Sequence, residues 1–301
     1  MSPPSLRVQT VLYQNSQASL GRFLTAISTA SALARAEGLV GQASLAIGDS
    51  SATPVLTHPE TLDEWLLGVP FDTVGYRHYG ANLGSAGGHN RLFEDLVEDL
   101  VLVCNPDTYA SPRLVAELLA PLADPTVGVV EARQLPLEHP KAHDPATGDT
   151  SWASGSCFVA RAEVIAATGG FDPDLFFLYC DDVDFSWRTR LAGWRVVHRP
   201  AARVFHDKRL TAEGFVDAGD AEIRFSAEAS VLLAWRYSRP DIAERNLRRL
   251  EESPDERHRD VATMLRQRQR AMGLPEPLDP EGRVAQFVDG EYAVHRFSYA
   301  H

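Results

Sequence analysis

The chain has 301 residues, 44% of them hydrophobic, and a formal net charge of −12 at pH 7. That length and apolar content suit one large α/β core with an appendage, or two small domains. The acidic balance excludes nucleic acid as the main partner and a polybasic membrane anchor, and no run approaches the roughly 18 apolar residues of a membrane span.

The start, Met1-Ser2-Pro3-Pro4, has neither the basic nor the apolar region of a signal peptide, so the expected location is cytoplasmic. Cys104, Cys157 and Cys180 are odd in number and lack paired spacing. They read as buried thiols rather than as a zinc site or a disulfide framework.

Arg7–Tyr13 reads as a first strand, and Leu20–Ala36 carries a helical apolar pattern. Ala43–Ile47 is the next strand. It ends at Gly48-Asp49-Ser50-Ser51, where local chemistry alone would make Asp49 a turn residue. A shorter segment, Asp72–Tyr79, leads into the glycine-rich run Gly80 to Asn90, read as a turn that opens a helix over Asn90–Asp99. Its spacing matches neither the P-loop nor the dinucleotide fingerprint. Glycines there would let backbone near Asn82 and Gly84 approach a ligand, and the helix N-terminus would favour a phosphate or ribose; a plain turn explains the run equally well. Repeated strand, loop and helix units of this length predict an α/β fold, a mostly parallel sheet with helices on both faces.

Leu100–Cys104 is an apolar run typical of a buried strand, and its carboxyl end delivers Asn105 and Asp107 to a crevice where open α/β sheets bind ligands. Further on, Asp181, Asp182 and Asp184 put three carboxylates within four residues. Crowding them is costly unless a metal, a basic partner or a catalytic task balances the charge. The plainer alternative is that Asp181 or Asp182 caps a helix over Val183–Leu191. Asp184 lies one helical turn from Arg188 and is placed to pair with it. His206 closes the strand Ala202–Phe205, whereas His198, before Arg199-Pro200, reads as structural.

Beyond about residue 212 the pattern becomes helical and charged: Ala221–Tyr237, Asp241–Glu251 and Pro254–Met272 read as helices. The last carries Arg257, Arg259, Arg266, Arg268 and Arg270, either a solvated face or a basic surface for an anionic acceptor or membrane headgroups. Asp289-Gly290 between alternating runs signals a terminal β-hairpin, which would pack on its own domain or on a second subunit of a homodimer.

Taken in order, several motifs resemble the inverting family 2 glycosyltransferases with the GT-A fold, especially the bacterial rhamnosyl- and galactofuranosyltransferases. They are Tyr13-Gln14-Asn15, Asp49-Ser50-Ser51, the run from Asn82 to Asn90, Asn105-Pro106-Asp107, Ser154-Gly155-Ser156-Cys157-Phe158, Gly169-Gly170-Phe171-Asp172, Asp181-Asp182-Val183-Asp184 and His206. The resemblance covers Arg7 to Arg209. It implies transfer of a rhamnose- or galactofuranose-like sugar, with inversion, from a dTDP- or UDP-sugar to a hydroxyl of a saccharide, lipid-linked or small-molecule acceptor. It also implies help from a divalent metal, Mn2+ or Mg2+.

By position, Asp182 matches the family's catalytic base and Asp181 would orient the acceptor. Asp107 matches the last carboxylate of the metal-binding Asp-x-Asp motif, with Asn105 in place of the first, and His206 matches a histidine that completes the metal site. Asp49 matches the acidic contact to the nucleotide base or ribose, and Tyr13 and Asn15 would stack on or hydrogen-bond that base. Trp152 and Gly155 fall in the segment that passes beneath the donor sugar and acceptor, with Trp152 an aromatic platform or a core residue. The polar stretch from Glu138 to Asp149 reads as a mobile surface loop that folds over the donor. The expected organisation is a catalytic domain over residues 1–212 and, over residues 213–301, a helical extension and hairpin serving the acceptor side or an oligomer contact. The Asn105 departure keeps a second reading in play, a catalytically silent nucleotide- or carbohydrate-binding protein on the same scaffold.

Overall fold

The computed structural model describes residues 2–57, 70–139, 141–208 and 217–293. Eight strands form one sheet: β1 (Leu6–Leu12), β2 (Ala43–Asp49), β3 (Thr73–His78), β4 (Leu100–Cys104), β5 (Thr108–Ala110), β6 (Val127–Leu135), β7 (Cys157–Arg161) and β8 (Arg195–His206). Their spatial order is β3-β2-β1-β4-β7-β6-β8-β5. The pairs β1–β2, β2–β3, β1–β4 and β6–β8 are parallel, while β7 runs antiparallel to both of its neighbours and β5 antiparallel to β8. The sheet is therefore mixed and mostly parallel, the α/β architecture predicted. β4 is buried along its whole length, as a continuous apolar run in a central strand requires.

Helix α1 (Gln17–Ala36) is capped by Ser16, whose side chain accepts from the Ser19 N–H at 3.1 Å. The next helix corrects the sequence reading: α2 spans Gly84–Phe93, so the glycine run is the helix itself rather than a turn before it. The glycines serve close packing. A Cβ on Gly88 would stand 2.6 Å from Val11 Cγ1 of β1, and Gly84 combines a φ of +68° with a backbone approach to the Phe177 carbonyl that a Cβ would enter at 2.2 Å. Only glycine meets both demands at residue 84.

Helices α3 (Leu114–Leu119), α4 (Ala162–Thr168) and α5 (Asp181–Leu191) complete the layers around the sheet. Then come α6 (Asp220–Arg236), α7 (Pro240–Glu251) and α8 (Glu256–Met272), close to the expected spans. These three form a second core with α5, in which Trp187, Tyr237, Leu233, Leu247 and Leu265 are buried together. Trp187 meets Tyr237 edge to face at 4.6 Å.

Three of the five arginines named in the sequence of α8 are paired with acidic side chains. Arg266 is held by Glu244 and Glu251, Arg257 by Asp255 and Asp220, and Arg268 lies 3.7 Å from Glu228. The Asp289-Gly290 turn forms, with φ of +52° and +81°, yet among the described residues only one rung joins its arms, Val288 to Glu291. The turn packs on its own chain, with Phe287 against Trp187 at 5.3 Å and Tyr292 against Trp152 at 5.9 Å.

Candidate active site

A short strap, residues 152–156, ties the predicted site residues together. The Ala153 N–H donates to Ser186 Oγ at 3.0 Å, the Ser154 N–H to Glu131 Oε1 at 2.7 Å, and the Gly155 N–H to Asp182 Oδ2 at 2.8 Å. Ser156 then accepts from the Asn105 N–H at 2.9 Å. Asp182 and the Asn105-Pro106-Asp107 turn thus attach to adjacent residues of one strap, although 75 positions separate Asp107 from Asp182 in the sequence.

Helix α5 starts at Asp181, two residues before the expected Val183, and all three aspartates sit in its first turn, where the helix dipole favours them. The residues ahead of it, Tyr179 and Cys180, hold φ of +69° and +57°, an uncommon conformation for non-glycine residues that turns the chain sharply into the helix. The three carboxylates then separate by role. Asp184 is fully buried, bound by Arg188 at 2.7 Å and by the Tyr237 hydroxyl at 3.0 Å, which makes it a brace between α5 and α6. Asp181 is 6% exposed and bonded to Ser85 of α2; burial, with the Asp182 charge beside it, pushes its carboxyl up to about 7. Asp182 is only partly buried, with Oδ1 accepting from the Val183 N–H at 2.8 Å.

The second acidic element meets its histidine through strand pairing. β5 and β8 are antiparallel with Thr108 opposite His206, which brings Asp107 Oδ2 to 3.4 Å from His206 Nε2. On the other side of the ring, Nδ1 lies 2.8 Å from Gln134 Oε1. With that amide oxygen accepting from Nδ1–H of a neutral ring, the Nε2 lone pair would face Asp107. Adjacent ligands on an octahedral ion bound at about 2.1 Å stand about 3 Å apart, so the Asp107–His206 pair fits one cation between them. Among the described residues no group of three or more His, Cys, Asp or Glu could hold a metal. The pair therefore suits an ion such as Mg2+ or Mn2+ that keeps waters and takes further oxygens from a phosphate-bearing ligand.

Two predicted site residues lie deeper than an open contact with a ligand would need. Asp49 is fully buried and closes its own loop: Oδ1 accepts from the Ser51 N–H at 2.9 Å, and Oδ2 accepts from the Val55 N–H at 2.7 Å and from the Tyr76 hydroxyl. Those donors hold its carboxyl below the usual range against the opposing effect of burial. Trp152 is 2% exposed, with Lys141 Nζ 4.0 Å from its ring centroid and the His139 ring at 5.4 Å, so it is a core residue and offers no open platform. Asn82 and Gly84 build the start of α2, where Asn82 Oδ1 accepts from the Gly84 N–H at 3.0 Å; this turn brings Ser85 to Asp181. Tyr13 is half exposed at the end of β1, and its N–H is bound by Asn15 Oδ1. His198 is structural as expected, buried with Nδ1 at 3.1 Å from Glu131.

The stretch from Glu138 to Asp149, expected to be a mobile loop, is docked among its described residues. His198 N–H donates to the Gly148 carbonyl and Thr150 N–H to Val196, while Lys141 is drawn into the interior. There it meets Glu131, the group that sequence reasoning missed. Glu131 is fully buried on β6, with Lys141 Nζ at 2.6 Å. Burial works to raise its pKa, but the Lys141 charge and the His198 contact outweigh it and keep the carboxylate ionised. Gln134 was missed as well. Both lie in the polar second half of β6, beside Arg133, and Glu131 and Lys141 ten residues apart give no local signal of pairing.

No family model matches the chain. An N-acetylglucosaminyl-diphospho-decaprenol L-rhamnosyltransferase of Mycobacterium tuberculosis is 31% identical, over 43% of this chain and 57% of the relative. A pre-mycofactocin glycosyltransferase of the same organism is 27% identical, over 71% of this chain and 46% of the relative. The chain thus spans about half the length of the curated relatives it matches. Among solved structures, a mannosyltransferase from Pyrobaculum calidifontis in complex with GDP-Man and Mn2+ superposes with a TM-score of 0.56 at 16% identity, covering 91% of this chain and 77% of that one. The fold is GT-A, and the resemblance read from the sequence motifs is to the same class of proteins that these comparisons return.

Proposed function

We propose that this GT-A chain, a relative of bacterial rhamnosyl- and other glycosyltransferases, is itself an inverting glycosyltransferase. It would move a rhamnose- or galactofuranose-like sugar from a dTDP- or UDP-sugar to a hydroxyl of a saccharide, lipid-linked or small-molecule acceptor. The observation that carries this reading is the attachment of two different chemistries to one strap: a carboxylate oriented by the Gly155 N–H, and an Asp107–His206 pair with Oδ2 and Nε2 3.4 Å apart. The rhamnosyl preference is supported by the name of the M. tuberculosis relative.

In this reading Asp107 and His206 hold a divalent cation, Mn2+ or Mg2+, which when bound supplies positive charge where the diphosphate leaves. Asp182 takes the proton of the acceptor hydroxyl as that oxygen attacks the anomeric carbon from the face opposite the leaving group. Gly155 fixes the carboxylate so that Oδ1 and Oδ2 keep one orientation through the reaction. Asp181, protonated below about pH 7, adds no second negative charge beside the base. Tyr13, half exposed at the end of β1, would meet the nucleotide base in this reading.

The test is a thermal-shift panel of nucleoside diphosphates and sugar nucleotides with and without Mn2+, followed by nucleoside diphosphate release from any that bind. We expect stabilisation by one nucleotide class that requires the metal, and its loss in Asp107→Ala. Metal-independent binding that Asp107→Ala leaves unchanged would remove the metal assignment. Binding without sugar transfer to acceptor or water, unaltered by Asp182→Asn, would favour the silent binding protein instead.

A further inference from the structure

The ion pair Lys141–Glu131 has no part in the chemistry described so far, yet it is the most deeply buried pair of full charges in the described structure. The side chains are 5% and 0% exposed. Glu131 accepts at once from Lys141, from the Ser154 N–H and from His198 Nδ1, while Lys141 donates also to the Trp152 carbonyl at 2.9 Å. Burying two charges costs more than most such pairs return in stability, and an apolar pair of the same volume would serve a core at least as well. What an apolar pair would not supply is an acceptor for Ser154 N–H and a donor for Trp152 C=O, and both of those groups belong to the strap.

We infer that Glu131, locked by Lys141, is a positioning residue for the base: it fixes the strap at Ser154 so that the next N–H, that of Gly155, is presented to Asp182 Oδ2. The strap bears three consecutive anchored N–H groups, those of Ala153 and Gly155 bound to α5 and that of Ser154 between them bound to β6. Ser186, which receives the first, donates its own proton to the Asp182 carbonyl at 2.7 Å. Asp182 is thus fixed at its backbone through one end of the strap and at its carboxylate through the other, and Glu131 holds the middle. The inference deepens the glycosyltransferase reading, and its kinetic arm rests on it.

The experiment compares two double variants in the full chain. Glu131→Gln with Lys141→Met removes both charges together but keeps an amide oxygen for Ser154 N–H. Glu131→Leu with Lys141→Met removes that acceptor as well. The first readout needs no substrate: hydrogen exchange of the Gly155 amide, relative to amides in the middle of β4. We expect the leucine pair to speed Gly155 exchange at least 10-fold, with β4 unchanged, and the glutamine pair to restore most of the protection. The second is nucleoside diphosphate release from the sugar nucleotide that stabilises the wild type, counted per donor-binding site well below each variant's melting temperature. There kcat should fall at least 10-fold in the leucine pair with donor KM within 2-fold, and the glutamine pair should recover most of it.

Equal Gly155 exchange in both variants and the wild type would overturn the inference, as would equal kcat in the two folded variants. If no sugar nucleotide turns over in the wild type, the glycosyltransferase reading fails, and the exchange arm still decides whether Glu131 holds the strap. If the leucine pair does not fold, Glu131→Met with Lys141→Met, which likewise lacks an acceptor for Ser154 N–H, takes its place in the same exchange readout, and a Gly155 amide as protected there as in the glutamine pair overturns the inference.

Discussion

Asp181 and Asp182 are neighbours in sequence, but only the second combines a partly exposed carboxylate with a backbone donor from the strap. Replacing Asp182 by Asn keeps shape and an acceptor for Gly155 while removing the group that takes a proton. Loss of a general base lowers rates by about 10²–10⁴-fold, and we expect that drop in sugar transfer with donor binding retained; full activity would remove the assignment. Asp181 makes a prediction about stability. It titrates near 3.8 when unfolded and near 7 when folded, because burial and the Asp182 charge oppose its ionisation. Between those values the folded state holds a proton that the unfolded state has lost, so this group's contribution to stability falls as pH rises through that window. Asp181→Asn carries no ionisation cost, and its melting temperature relative to the wild type should therefore be more favourable at pH 8 than at pH 5. A difference that does not vary with pH would mean that Asp181 ionises equally well in both states.

The elements show where sequence reading reaches and where it stops. The continuous apolar run of β4 and the acidic strand ends were legible because burial on both faces and a break into Asn-Pro-Asp leave plain marks. The glycine run was not: a segment with this many glycines reads as a turn on propensity, and the gain that overrides propensity is close packing against residues 75 positions or more away, Val11 and Phe177. The same holds for Trp152 and Asp49, whose sequence contexts suit a ligand or a structural role equally: the burial of both, and the Tyr76 hydroxyl that Asp49 takes from β3, are not marked in the residues around them. Packing is testable at Gly88. Gly88→Ala drives a methyl to within 2.6 Å of Val11 Cγ1, and we expect destabilisation of about 1–3 kcal/mol, as for other overpacked cores. Val11→Ala in the same chain should return part of it, which a denaturant-unfolding double-mutant cycle would show as a coupling of at least about 0.5 kcal/mol. Additive effects would mean that the helix shifts without touching β1.

At the scale of the molecule, residues 217–293 do more than extend a finished domain, because α5, which carries the proposed base, has its inner face in the second core. Trp187 and Val183 are fully buried there, beneath Leu232, Leu233, Tyr237 and Leu265. Asp184, in the same helical turn as Asp182, takes the Tyr237 hydroxyl at 3.0 Å and is otherwise a buried carboxyl raised by desolvation, with Arg188 lowering it. Cutting the chain at residue 212 would uncover those side chains and remove the hydroxyl, leaving a large apolar patch on the helix that must hold Asp182 still. We expect residues 1–212 alone to keep much of their far-ultraviolet circular dichroism but to lose near-ultraviolet signal, to bind a hydrophobic dye and to unfold without a cooperative transition. Tyr237→Phe in the full chain is the graded form of the same experiment, with about 1–2 kcal/mol lost because the Asp184 carboxyl gives up a buried partner. A truncated chain that melts cooperatively near the full-length temperature would show that the sheet fixes α5 unaided, and the C-terminal helices would then be free to act as a separate unit.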